Sequence, residues 1–100
     1  MENLRHLMAA YFHQDWWSEY DGSWESAVDD FVRREPRRVA GAAGEIASLL
    51  DDAASDQSLG EALDALGNFR DPGSAPDAHR SWLVELRDRL RDSGGESQAS

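Results

Sequence analysis

The chain contains no cysteine and no lysine among its 100 residues. Without cysteine it can form no disulfide, no thiolate nucleophile and no cysteine-based zinc or iron–sulfur site. It also lacks any run of about 18 apolar residues that could span a membrane, and its N-terminal sequence lacks the basic-then-apolar order of a secretory signal. These absences predict a protein that stays in the cytoplasm.

No segment alternates apolar and polar residues with the period of two that marks a half-buried strand, so we expect no β-sheet. Apolar residues instead recur at helical spacing. The predicted fold class is all-α: a single compact domain of about five helices over residues 1–92, followed by a disordered tail over 93–100 that has nothing to bury. The predicted helices cover approximately residues 3–13, 24–34, 36–52, 59–66 and 77–91.

Helix boundaries follow from residues with known end preferences. Asn3 and Ser23 are predicted N-caps of the first two helices, because their side chains can accept a hydrogen bond from a first-turn N–H group. Ser58 with Glu61 has the spacing of a capping box for the fourth helix, and Gly67 can end it. Residues 14–22 break the helical pattern and are predicted to form a loop.

The net charge is −10, from twenty carboxylates against ten arginines. Such a surface repels phosphate backbones and anionic lipids, and it speeds encounter with a cationic partner. We therefore expect neither nucleic acid nor membrane as a direct ligand. The alternative explanation is that the acidity only keeps the protein soluble.

Six of the nine aromatic residues lie between Tyr11 and Trp24, interleaved with carboxylates. Rigid aromatic anchors within a charged rim are typical of a protein-binding surface. Tyr11 and Phe12 lie on the apolar stripe of the first helix, however, and are expected in the core. Of the following aromatics we expect Trp16 inside and Trp17 or Tyr20 at the surface.

Other kinds of site have weaker support. His6 and His13 lie seven residues apart without a third metal ligand at suitable spacing, and sequential pairs such as Asp29-Asp30 point in different directions on a helix. The arginines at 33, 34, 37 and 38 are better explained by ion pairs and by favourable charge at a helix C-terminus than by phosphate binding. We predict no catalytic residue, no metal or other cofactor and no small-molecule substrate.

Several segments together resemble a known family. They are the YFHQDW stretch at 11–16, the acidic helix at 24–34, the Glu35-Pro36 junction, and the segments 67–72 and 81–90. They are similar to the small all-helical immunity proteins of bacterial contact-dependent growth inhibition systems, over residues 4–90. This resemblance implies a cytosolic antidote that binds the C-terminal toxin domain delivered by a neighbouring cell, often a nuclease, and blocks it without performing chemistry.

The acidic charge and the aromatic run predict a protein-binding surface rather than an enzyme. The resemblance implies, in addition, that the protein neutralises a toxin by direct binding and occludes its active or substrate-binding surface. An acidic antitoxin-like or DNA-mimicking regulatory module that binds another basic protein is the alternative. The predicted toxin contacts are Trp17, Glu19, Tyr20, Asp21, Glu25, Asp29 and Asp30. The predicted structural residues are Tyr11, Phe12, His13, Asp15, Trp16 and Trp82, with Asp15 bracing the loop through backbone N–H groups.

Overall fold

The computed structural model describes the backbone of residues 1–99 and the side chains of residues 1–93. Over this range the fold is all-α, as predicted, and contains no strand. The elements are α1 (Glu2–Tyr11), α2 (Trp16–Glu19), α3 (Trp24–Arg34), a 3-10 turn (Pro36–Arg38), α4 (Val39–Asp52), α5 (Asp56–Ala65) and α6 (Ala78–Ala99). The predicted tail, 93–100, falls at and beyond the end of the described side chains and stays a prediction.

There are six α-helices in the described range rather than about five, because residues 16–19 of the predicted loop form the short helix α2. The prediction for α3 is confirmed at both ends, and the Ser23 hydroxyl accepts a hydrogen bond from the Ser26 N–H at 3.2 Å. The helix predicted from Pro36 begins with the 3-10 turn and becomes α-helical at Val39. Proline is accommodated in that first turn because its nitrogen has no hydrogen to leave unpaired.

Two predicted caps are wrong. Asn3 lies within α1, where its side chain donates to Glu45 of α4 at 2.8 Å instead of capping its own helix. The α5 helix begins before Ser58, because the Ser55 hydroxyl accepts from the Ser58 N–H at 3.1 Å and makes Ser55 the N-cap. The predicted end of α5 is confirmed: Gly67 has a φ of +96° and closes the helix in the left-handed conformation that glycine adopts readily.

The starts of α1 and α6 are instead capped by carboxylates from other helices. Glu45 accepts the Leu4 N–H at 2.8 Å. Asp56, in the first turn of α5, accepts the backbone N–H groups of His79 at 3.2 Å and Arg80 at 2.8 Å. Each carboxylate satisfies a first-turn donor that the helix cannot pair internally and places negative charge at the positive end of the helix dipole. Capping therefore also joins α1 to α4 and α5 to α6.

The core lies between α4 and the helices α1 and α6 that pack on it, while α3 and α5 pack against α6. Leu7, Phe31, Ile46 and Leu83 are among its fully buried side chains. One end of the core is aromatic: Phe12, Trp16 and Trp82 are buried there, with Trp24 partly buried beside them. This aromatic cluster, comprising these four residues, positions the loop after α1 and the loop before α6.

The Asp56 cap is expected to stabilise the fold. The His79 ring also lies within hydrogen-bond distance of Asp56, with its Nδ1 atom 2.8 Å from the carboxylate. Burial acts against the charged form of Asp56, but the hydrogen bonds from Arg80 and His79 outweigh it and lower the pKa of this carboxyl. Asp56→Asn should lower the free energy of unfolding at pH 7 by about 1–2 kcal/mol, because an amide offers one acceptor oxygen to these donors.

The pH dependence of this effect has a defined sign. A carboxyl whose pKa is lower in the folded state stabilises the fold above its unfolded value, about 4, and loses that contribution as the pH falls through the folded value. Urea unfolding at pH 7 and near pH 3 should therefore show a smaller difference between wild type and Asp56→Asn at the lower pH. A difference that stays constant would contradict a role for the charge.

Candidate functional site

The turn and short helix after α1 present two neighbouring tryptophans in opposite ways. Trp16 is 6% exposed and Trp17 is 66% exposed, which confirms the expectation for this pair. The Gly22 N–H donates to the Trp17 carbonyl at 2.8 Å, and Asp21 and Gly22 both have positive φ. A Cβ atom on Gly22 would lie 2.9 Å from the Trp17 ring, so the glycine lets the tight turn pack beneath the indole. Trp17 is thus held at the surface.

Tyr20 is only partly exposed, because its hydroxyl donates to Asp30 of α3 at 2.7 Å. Burial, followed by this hydrogen bond, raises the pKa of the Tyr20 phenol, which stays neutral at physiological pH. Asp30 also pairs with Arg33 and with Arg34, the latter at 2.9 Å. Burial opposes ionisation of Asp30, but hydrogen bonds from Tyr20, Arg33 and Arg34 lower its pKa. Its negative charge is therefore already balanced within the chain.

Asp29 takes part in a different pair. Both oxygens of this carboxylate are contacted by Arg89 of α6, at 3.0 and 2.8 Å, in a two-point arrangement. Beside this pair an open groove runs between α3 and α6 over the edge of Trp24. Carboxylates predominate along it; they come from Glu25, Asp29, Glu85, Asp88 and Asp92. The groove extends the acidic surface of α3 onto α6, which the sequence patterns did not predict.

The predicted contact residues therefore divide into two adjoining groups. Trp17, Glu19 and Asp21 lie exposed on α2 and its turn, while Glu25 and Asp29 line the groove between α3 and α6. Asp29 also borders a shallow depression that is lined by Tyr20 and Asp30 together with the basic side chains of Arg33 and Arg34. We call the seven predicted contact residues together the acidic face; it comprises Trp17, Glu19, Tyr20, Asp21, Glu25, Asp29 and Asp30.

The four aromatic members of the predicted structural set are buried: Tyr11, Phe12, Trp16 and Trp82. The Phe12 ring lies 5.5 Å from the Trp16 ring and 5.2 Å from the Trp82 ring, centroid to centroid, and meets the latter edge to face. His13 accepts the Asp15 N–H at 3.1 Å and lies 3.1 Å from Glu19. The bracing role predicted for Asp15 is wrong, since its exposed side chain makes no cap hydrogen bond.

Arg70 belongs to this region, and no sequence pattern identified it. Its guanidinium carbon lies 4.8 Å from the Trp82 ring centroid, 5.9 Å from that of Trp24 and 6.0 Å from that of Trp16. Burial lowers the pKa of Arg70, although nearby Glu25 and Asp71 favour its charge. Its Nη1 atom is buried without a hydrogen-bond partner, so the aromatic faces are its main stabilising contact. Arg70 connects the loop before α6 to the aromatic cluster.

Most of the arginines near Pro36 form ion pairs, as the sequence predicted. Arg33 and Arg34 contact Asp30, and Arg38 lies 3.6 Å from Glu35. In the part of the chain that the structure describes, no three histidine or acidic side chains are grouped so that they could hold a metal ion. None of the described helices is both long and apolar enough to cross a membrane.

Fold and surface together define a small, acidic, all-helical binding protein, in which a buried aromatic cluster supports an exposed tryptophan beside a carboxylate-rich face. A family model described as CdiI immunity protein matches residues 1–90, and the chain belongs to that family. It is accordingly an immunity protein that neutralises a toxin of a contact-dependent growth inhibition system. Comparison with curated proteins and with solved structures finds no match.

Proposed function

We propose that the toxin is a nuclease and that this protein blocks it in the cytoplasm by covering its substrate-binding surface with the acidic face. The observation that carries the proposal is that Trp17 is 66% exposed and is held by its turn, in a short segment that also presents the exposed carboxylates of Glu19 and Asp21. A rigid aromatic side chain loses little entropy on binding and can fill a recess at the centre of an interface. The surrounding carboxylates would meet the basic surface that a nuclease presents to phosphates.

The carboxylates of the acidic face would contribute unequally. Asp30 is 11% exposed and neutralised by two arginines, so its role is to hold Tyr20 in place rather than to attract a partner. Glu19 and Asp21 are exposed, and Glu25 is partly exposed at the start of α3. These three carboxylates therefore carry most of the proposed attraction, with Asp29 at the edge of the groove.

A direct test looks for a toxin domain encoded next to this protein. Tagged immunity protein should recover that domain from cells, and the purified complex should lack nuclease activity that the free domain shows. A toxin that remains active in a stable complex would contradict occlusion of its substrate surface. Recovery of only housekeeping proteins would instead favour the regulatory alternative.

The electrostatic part of the proposal predicts a change in association rate. The double variant Asp21→Asn, Glu25→Gln should associate with the toxin domain several-fold more slowly, and raising the salt concentration should reduce this difference. Asparagine tolerates the positive φ at position 21, 56°, so the turn should be retained. Stopped-flow mixing at low and high salt measures both effects.

The matched control is Asp51→Asn, Asp52→Asn, which also removes two negative charges, but from exposed positions at the end of α4. This helix carries none of the predicted contacts, so the control should alter the association rate much less. Equal slowing by the two double variants would show that only net charge matters. An association rate insensitive to salt and to both variants would refute electrostatic attraction altogether.

A further inference from the structure

Phe69, in the loop between α5 and α6, is 62% exposed. Within the described side chains, the large apolar residues that are exposed are Met1, Trp17 and Phe69. Phe69 and Trp17 are thus the two aromatic members of this set, although they are 52 positions apart in the sequence.

The exposure of Phe69 does not come from a loosely attached loop. Its N–H donates to the Phe12 carbonyl at 2.8 Å, at the end of α1. The neighbouring Asn68 is buried, and its side chain bonds the backbone of Arg70 twice, at 2.9 and 3.1 Å. Arg70 in turn lies among the three tryptophans. The residues on both sides of Phe69 are therefore anchored, and its ring is presented from a held backbone.

Phe69 and Trp17 are attached to the same aromatic cluster. The Trp17 ring lies 5.5 Å from the Trp16 ring, which in turn lies 5.5 Å from the ring of Phe12. Phe12 is the residue whose carbonyl accepts the Phe69 N–H. The segments that carry the two exposed rings are thus held by the same cluster, so neither segment has to reorganise when a partner covers the rings.

The surroundings of Phe69 are acidic, as are those of Trp17. Asp64 and Asp71 line the same shallow depression as Phe69, and both are exposed. Arg70 and His79 also border this depression. The guanidinium carbon of Arg70 lies 4.8 Å from the Trp82 ring centroid and its Nη1 atom is buried, while the His79 ring lies 2.8 Å from the Asp56 carboxylate. The charge offered to a partner around Phe69 is consequently mostly negative, which complements a basic protein surface.

We propose that Phe69 is a second aromatic anchor for the toxin, acting together with Trp17. This inference rests on the proposed function, because it takes the basic toxin domain as the occupant. The toxin-binding surface then extends from the acidic face across the loop before α6. A fitting partner surface is basic and has two apolar recesses.

The test compares the affinities of Phe69→Ala and Phe69→Leu for the toxin domain by calorimetric titration. Phe69→Ala should bind about tenfold more weakly, since truncation of an anchor typically costs more than 1 kcal/mol, whereas Phe69→Leu should retain most of the affinity. Urea unfolding serves as the control: both variants should be nearly as stable as wild type, because the ring is exposed.

The outcomes separate this inference from the proposed function. If the wild type binds the toxin domain and Phe69→Ala binds it with the same affinity, the role of Phe69 is overturned and the proposed function stands. Failure of the wild-type protein to bind overturns the proposed function and this inference with it. A loss of affinity in Phe69→Ala that leucine restores, at unchanged stability, supports the second anchor.

Discussion

Phe12→Ala should lower the free energy of unfolding by about 3–5 kcal/mol, the range typical of truncating a fully buried phenylalanine. The ring is completely buried and lies against both Trp16 and Trp82, so its removal leaves a cavity that those rigid rings cannot easily fill. Because a domain of this size is stable by only about 5–15 kcal/mol, the variant should be close to unfolding at 37 °C. Urea unfolding followed by tryptophan fluorescence measures the effect.

Phe12→Leu is the matched control, since it retains an apolar side chain and should lose clearly less stability than the alanine variant. Trp17→Ala provides a second comparison, because truncating a side chain that is 66% exposed should change the unfolding free energy little. A Phe12→Ala protein as stable as wild type would show that the aromatic cluster is not needed for the fold. Reduced toxin protection by Phe12→Ala is expected to follow from unfolding alone.

Trp17→Ala should weaken toxin binding by about 30-fold or more, corresponding to a loss of about 2 kcal/mol at an interface hot spot. The indole is exposed in the free protein and is held by the turn at Gly22, so binding would bury it without first reorganising the loop. The effect should appear mainly as faster dissociation, because truncating an apolar anchor leaves the long-range charge attraction unchanged. Surface plasmon resonance with immobilised toxin domain measures the association rate and the dissociation rate separately.

Trp17→Phe should recover part of the lost affinity, whereas the Asp51→Asn, Asp52→Asn control should dissociate at the wild-type rate. Circular dichroism should show the same helix content for all of these variants. If Trp17→Ala binds as tightly as wild type while the acidic variants bind weakly, the contact would be electrostatic and the tryptophan would lie outside it. If Trp17→Ala fails to protect cells yet binds the toxin domain normally, binding alone would not explain immunity.

Local sequence was sufficient to predict much of the fold because apolar periodicity is a property of consecutive residues. The stripe of α6 that includes Trp82, Leu83, Leu86 and Leu90 is buried as its spacing indicates, and α3 has the predicted bounds. The glycine at position 67 ends α5 because few other residues adopt its positive φ without strain. Burial of Trp16 beside exposed Trp17 also agreed with the expectation that only some of the clustered aromatics fit inside.

One capping error arose because the partner lies far away in the chain, and the other because a second serine nearby provides the cap. Asn3 resembles an N-cap by its local position, yet Glu45, more than forty residues later, accepts the first-turn donor of α1. Gly41 permits this arrangement, since a Cβ atom there would collide with the Asn3 side-chain amide. At Ser58, the local capping-box spacing was matched, but the preceding Ser55 provides the cap and starts the helix earlier.

The sequence by itself determined the helical class, the absence of cysteine chemistry, the acidic charge and the aromatic run, because each follows from composition or from neighbouring residues. Only the tertiary structure decided that Asp29 pairs with Arg89, 60 residues away, and is thereby less available to a partner. It also decided that Arg70 lies among three tryptophans and that Phe69 is exposed beside it. Contacts between distant segments depend on how the helices pack, and no local pattern encodes them.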